Sequence, residues 1–181
     1  MTATPEIREA MLAAIPNLRA FAFTLTHNTD HTDDLVQEAI LLAWTNLDQF
    51  QPGTSMRAWL FTILRNALYS QHRKIRRELQ DPDGFYAGRL WTLPEQHTRC
   101  DFTDMRKALA RLSSENREAL ILVAAEGLSY EEAAQVCGVA MGTLKSRVHR
   151  GRAHLAELLA VTDAEGFRTD EVMQAALQHA M

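Results

Sequence analysis

Residues 129–159, SYEEAAQVCGVAMGTLKSRVHRGRAHLAELL, permit few folds. Ser129 with Glu132 three residues on is a capping box, which opens a helix by satisfying two orphan backbone donors. Gly138 suits the left-handed position that ends one. Val139 is placed to plug the space between two helices, and 141–143 lead into a second, longer helix. On that helix residues advance by about 100° each. Leu144, Val148, Leu155, Leu158 and Leu159 fall on one side. Lys145, Ser146, His149, Arg150 and Ala153 fall on the other, with Arg147 and Arg152 at its edges. A short helix, a glycine turn and a basic second helix are the parts of a helix-turn-helix. The open side carries cations among small residues and no acid, so it can enter a major groove closely. Arg and Lys there can hold guanine edges or phosphates, and Thr143 and Ser146 can bond phosphate near the helix start.

A DNA reader of this kind sits oddly with a formal net charge of -4 over 181 residues, so any nucleic-acid surface has to be local. The charge is sorted. From 20 to 56 there is no Lys or Arg, but Asp30, Asp33, Asp34, Glu38 and Asp48 occur. From 57 to 77 there is no acid, but Arg57, Arg65, Arg73, Lys74, Arg76 and Arg77 occur. From 133 to 156 the chain is again free of acid. One such run is usually a solvated face. Three sorted blocks suit one protein partner and two nucleic-acid contacts.

The N-terminal half reads as three helices. Apolar residues recur at three-to-four spacing from Ile7 to Leu25, with Pro16 placed to interrupt them. Asp30 or Thr32 can cap the next helix, 32–50, whose Leu35, Val36, Ala39, Ile40, Ala43, Trp44 and Leu47 form a broad apolar stripe. Asp34, Gln37, Glu38 and Leu41 fall largely outside the centre of that stripe, as a solvated face or a docking surface for a basic partner. A loop, QPGTS, precedes a helix over 56–77 with Trp59, Leu60, Ile63, Leu64, Ala67 and Leu68 on one side. Arg57, Arg65, Asn66, Tyr69, Arg73, Lys74 and Arg77 take its other faces. Rings that stack on bases, amides that read base edges and cations that hold phosphates suit single-stranded or melted DNA. A basic amphipathic helix can also lie on a membrane, but here the apolar side is needed for a small core.

Residues 79–101 lose the periodicity, with DPDG and LPE as breakers, and mark a linker between domains at 1–78 and 102–161. The linker still carries Phe85, Tyr86, Leu90 and Trp91, which a plain tether does not need. Residues 162–181 form a tail with no evident task. The expected fold is all-α: two small helical domains joined by a linker. Cys100 and Cys137 are far apart and give neither a disulfide framework nor a zinc site. His27 and His31 flank Asp30 in a capping turn and are not read as metal ligands. No metal or cofactor motif, catalytic set, signal peptide or membrane span stands out, which favours a cytoplasmic protein that is not an enzyme.

The residues also carry a resemblance. DDLVQEAILLAW (33–44), FQPGTSMRAWLFTILRNALYSQHR (50–73) and SYEEAAQVCGVAMGTLKSRVHRGRAHL (129–155) resemble the extracytoplasmic-function (ECF) sigma factors of bacterial RNA polymerase. WLFTILRN, the DPDG linker and REALILVAAEGLSYEEAAQVCG resemble, more narrowly, the EcfG type that serves the general stress response of alphaproteobacteria. The resemblance implies a sigma-2-like first domain and a sigma-4-like second one. It implies that Asp34, Leu35, Gln37, Glu38 and Leu41 dock on a coiled coil of the polymerase β′ subunit. It implies that Phe50, Ser55, Arg57, Trp59, Arg65, Asn66, Tyr69 and Arg73 read and hold open the promoter −10 element, and that Thr143, Lys145, Ser146, Arg147, His149 and Arg150 read the −35 element. It further implies restraint by an anti-sigma factor of the NepR type, itself taken away by a PhyR-type response regulator. A stand-alone helix-turn-helix regulator and a sigma-mimicking decoy for an anti-sigma factor are the alternatives.

Overall fold

The computed structural model describes residues 4–78 and 100–159. Among these residues it is helical with no strand. The chain divides into two compact units, Met1–Glu95 and Gln96–Met181. The linker aromatics and the 162–181 tail lie outside the described residues.

The first unit packs α1 (Pro5–Thr26), α2 (Thr29–Thr45) and α3 (Met56–Glu78) against one another. Thr4 caps α1, its hydroxyl accepting from the Ile7 N–H, and Pro5 takes the first helical position, where no amide donor is needed. Pro16 does not interrupt the helix as its position suggested. It lies on the exposed side with Leu12, so water can take the Leu12 carbonyl that a proline cannot bond. His27 ends α1 in the left-handed conformation (φ 53°), donating its N–H to the Phe23 carbonyl at 2.8 Å.

The cap of α2 is neither Asp30 nor Thr32. Asn28 accepts from the His31 N–H at 2.9 Å and starts the helix three residues earlier than the periodicity suggested. Thr32 faces inward, donates to the Asn28 carbonyl and lies 2.7 Å from the Thr26 hydroxyl. Both hydroxyls are buried, and this bonding is what makes their burial tolerable. The core below holds Leu18, Phe21, Leu35, Leu60, Phe61 and Leu64. Phe21 and Phe61 meet edge to face, centroids 5.0 Å apart. A single turn of tighter helix, Leu47–Gln49, leads to the loop before α3. There Ser55 accepts from the Ala58 N–H at 3.2 Å.

In the second unit α4 (Cys100–Arg111) is followed by α5 (Ser114–Leu120), capped by Ser113. The Arg117 guanidinium donates to the carbonyls of Ala110 and Leu112, which the end of α4 would otherwise leave open. Beyond Leu120 the coil widens over Ile121–Ala125, with Glu126 N–H bonding the Ile121 carbonyl five residues back. Gly127, at φ 65°, turns the chain. Then come α6 (Tyr130–Cys137) and α7 (Met141–Leu158). The Ser129–Glu132 capping box is present in both directions, and Gly138 adopts φ 64°. Leu144 and Leu155 of α7 are fully buried, each stabilising the unit by about 2 kcal/mol. Buried Gly151 faces α5: a β-carbon there would stand 3.2 Å from the Asn116 carbonyl oxygen and 3.6 Å from Leu120. The close α5–α7 contact depends on this missing side chain.

Candidate nucleic-acid interface

The open face of α7 forms as its spacing predicts. Thr143, Lys145, Ser146, His149 and Arg150 are exposed, while Leu144 and Val148 between them are buried. Arg147 is half-buried at the edge. Its Nη1 atom is enclosed, with no hydrogen-bond partner among the described residues. The exposed residues are held in order. Ser146 donates to the Gly142 carbonyl at 3.0 Å and Arg150 Nε to the Ser146 carbonyl at 3.2 Å. The Lys145 ammonium lies 5.9 Å from the centre of the Tyr130 ring on α6, the two helices of the motif meeting through these side chains.

On α3 Asn66 and Arg73 are exposed, and Trp59, Arg65 and Tyr69 are half-buried. The Arg65 guanidinium sits over the Tyr69 ring, 4.4 Å from its centre. Phe50 packs on Trp59, centroids 5.3 Å apart, so the loop residue is buried and the tryptophan covers it. Arg57 does not join this set. It is roughly 160° round the helix from Arg73, and its Nε atom is shut off from solvent. Ser55 is committed to the Ala58 amide. Two cations that the list of readers omits belong with Arg73. Ser70, Arg73, Lys74 and Arg77 line one shallow hollow along α3. Their spacing of three, four and seven residues was the available signal.

The acid-bearing side of α2 is equally ordered. Asp34, Gln37, Glu38 and Leu41 are exposed, Leu41 at 66%. Leu35 is not part of this surface; it is 0% exposed and belongs to the core. Trp44, counted with the apolar stripe, is 51% exposed beside the same face. His31, in the capping turn of α2, bonds Gln71 of α3 at 2.8 Å.

Comparison with known proteins identifies the two regions of the chain. Residues 11–78 match the family model of Sigma-70 region 2, and residues 102–155 that of Sigma-70, region 4. The ECF RNA polymerase sigma factor EcfG of Rhodopseudomonas palustris is 51% identical over 177 residues, spanning 98% of both chains. The chain belongs to the ECF RNA polymerase sigma factors. This sigma factor thus directs core polymerase to promoters and begins transcription. The RNA polymerase sigma factor CnrH of Cupriavidus metallidurans is 34% identical over 143 residues, covering 70% of this sigma factor and 72% of CnrH. Among solved structures, the sigma factor RpoE of Bartonella quintana, crystallised in complex with the anti-sigma factor NepR, superimposes with a TM-score of 0.75. It is 45% identical, and the match covers 88% of this sigma factor and all of that chain. Among the described residues no helix is long and apolar enough to cross a membrane.

Proposed function

We propose that this sigma factor works through three separate surfaces. Asp34, Gln37, Glu38 and Leu41 of α2 dock on a basic-faced coiled coil of the polymerase β′ subunit, with Leu35 supporting them from below. Asn66, Tyr69, Arg65, Trp59 and Arg73 of α3 read and hold the −10 element, with Phe50 seating Trp59. Thr143, Lys145, Ser146, His149 and Arg150 of α7 read the −35 element, and Arg147 contributes from the edge. The domains accordingly run 1–78 and 102–161, joined by 79–101, with 162–181 as a tail. The observation that carries this reading is the separation of charge: the exposed stripe of α2 is acidic, while α3 is free of acid from Arg57 to Arg77 and α7 from its start through Ala156.

The likeness to a sigma factor held by NepR supports a small anti-sigma factor of that class as the restraint, with a PhyR-type regulator relieving it and stress genes as the output. The protein acts in the cytoplasm and is not itself an enzyme. The test is transcription by core polymerase from a stress promoter with the full chain. Asp34→Lys lowers affinity for core by roughly tenfold or more, since it sets a cation against a basic partner. Arg150→Glu leaves core affinity unchanged and abolishes the specific promoter complex. If Asp34→Lys binds core as the parent does, the acidic stripe is not the docking surface.

A further inference from the structure

A chain of side-chain hydrogen bonds crosses from α2 to α3 and back. His31 Nε2 lies 2.8 Å from Gln71 Oε1, and Gln71 Nε2 donates to Glu38 Oε2 at 2.6 Å. Chemistry fixes its direction. A carboxylate only accepts, so the amide nitrogen of Gln71 must face Glu38. The amide oxygen then faces His31, and it too only accepts. His31 therefore carries its proton on Nε2 and donates. The order is His31 to Gln71 to Glu38, each link polarising the next toward the acid. Glu38 is exposed, and among the described residues its second oxygen has no hydrogen bond within the chain.

The geometry points to Gln71 as a positioning residue for polymerase docking. It holds one oxygen of Glu38 so that the other is presented outward in a fixed rotamer. Gln71 belongs to α3, the DNA-facing helix, so the docking acid on α2 is set from the element that reads the promoter. An exposed glutamate otherwise samples several rotamers and loses that freedom when it pairs. Prior restraint by Gln71 removes part of that loss. This rests on the reading of Glu38 as a docking residue.

Four full-length proteins separate the two: the parent, Glu38→Ala, Gln71→Met and the double variant, each titrated against core polymerase. Glu38→Ala is expected to weaken binding by roughly tenfold or more, and Gln71→Met by roughly three- to tenfold, as for the ordering of one rotamer-rich side chain. In the Glu38→Ala background, Gln71→Met is expected to add nothing. Loss with Glu38→Ala but none with Gln71→Met overturns the positioning role alone. No loss with Glu38→Ala overturns the docking reading, and the positioning role with it. A full further loss in the double variant shows that Gln71 acts through something other than Glu38. Long-range ¹⁵N spectra of the His31 imidazole supply a readout that packing does not move. Nε2 carries a hydrogen-bonded proton in the parent and loses that bond in Gln71→Met, shifting its ¹⁵N resonance. An Nδ1-protonated ring in the parent sinks the proposed chain.

Discussion

His72 is kept uncharged by its surroundings. It lies on α3 with its Nε2 atom out of reach of solvent and its ring against Tyr69. Burial pushes its pKa below the ordinary 6.5, and nearby His31 pushes the same way. Well above pH 6.5 both folded and unfolded chains hold this histidine neutral, and it contributes no pH dependence. Below that value the unfolded chain takes up a proton that the folded one resists, so stability falls with pH toward the depressed folded value. His72→Gln removes the titration. Melting temperatures followed from pH 7.5 to 5.5 should drop less for the variant than for the parent; equal drops would mean that another group carries the acid sensitivity. At this scale the sequence was legible where angle and chemistry agreed. Lys145 and Arg150 are where spacing places them. Leu35 shows the opposite case. Its spacing puts it in the apolar stripe, and only the family motif carried it to the docking surface. Trp44 is apolar but lies roughly 180° from Leu35 round the helix, away from the core-facing side. Gln71 gives no signal in sequence, because its partners are 40 and 33 residues away in the chain and no local pattern encodes such a meeting.

Among elements, α7 was the most readable and α5 the least complete. The capping box, Gly138 and the leucines of α7 are local signals, and local signals survive without knowledge of the fold. Gly151 carries no such message. In sequence it is a weak point in a basic helix; in the structure it is where α7 meets α5. Gly151→Val should lower stability by about 1–3 kcal/mol, because a branched side chain is forced against the Asn116 carbonyl. Gly151→Ala is milder, since a gain of up to about 1 kcal/mol in helix propensity opposes the tight contact. Urea unfolding of both variants checks this, and a stable Gly151→Val protein would mean that the helices separate freely. The widened coil at Ile121–Ala125 carries no local signal either. The same limit applies to α2, which starts at Thr29 because Asn28 caps it. Asp30 and Thr32 were equally plausible caps on composition.

For the molecule as a whole, charge sorting was the most readable property, because it survives errors of one or two residues in every helix boundary. It also predicts how binding responds to salt. If Lys145 neutralises a phosphate, Lys145→Ala should reduce the slope of log affinity against log salt by about one, in holoenzyme bound to promoter DNA and followed by fluorescence anisotropy. An unchanged slope would take Lys145 off the backbone. The three-helix unit has a more general property. An acid-bearing helix packs directly against one that carries only basic charges from Arg57 to Arg77, so positive and negative charge sit on different elements of the unit and give it an electric dipole. Near a polyanion such a body feels a torque before it feels contact. If α3 reads the −10 element as proposed, that torque turns α3 toward the DNA and α2 away, so the faces are sorted during approach.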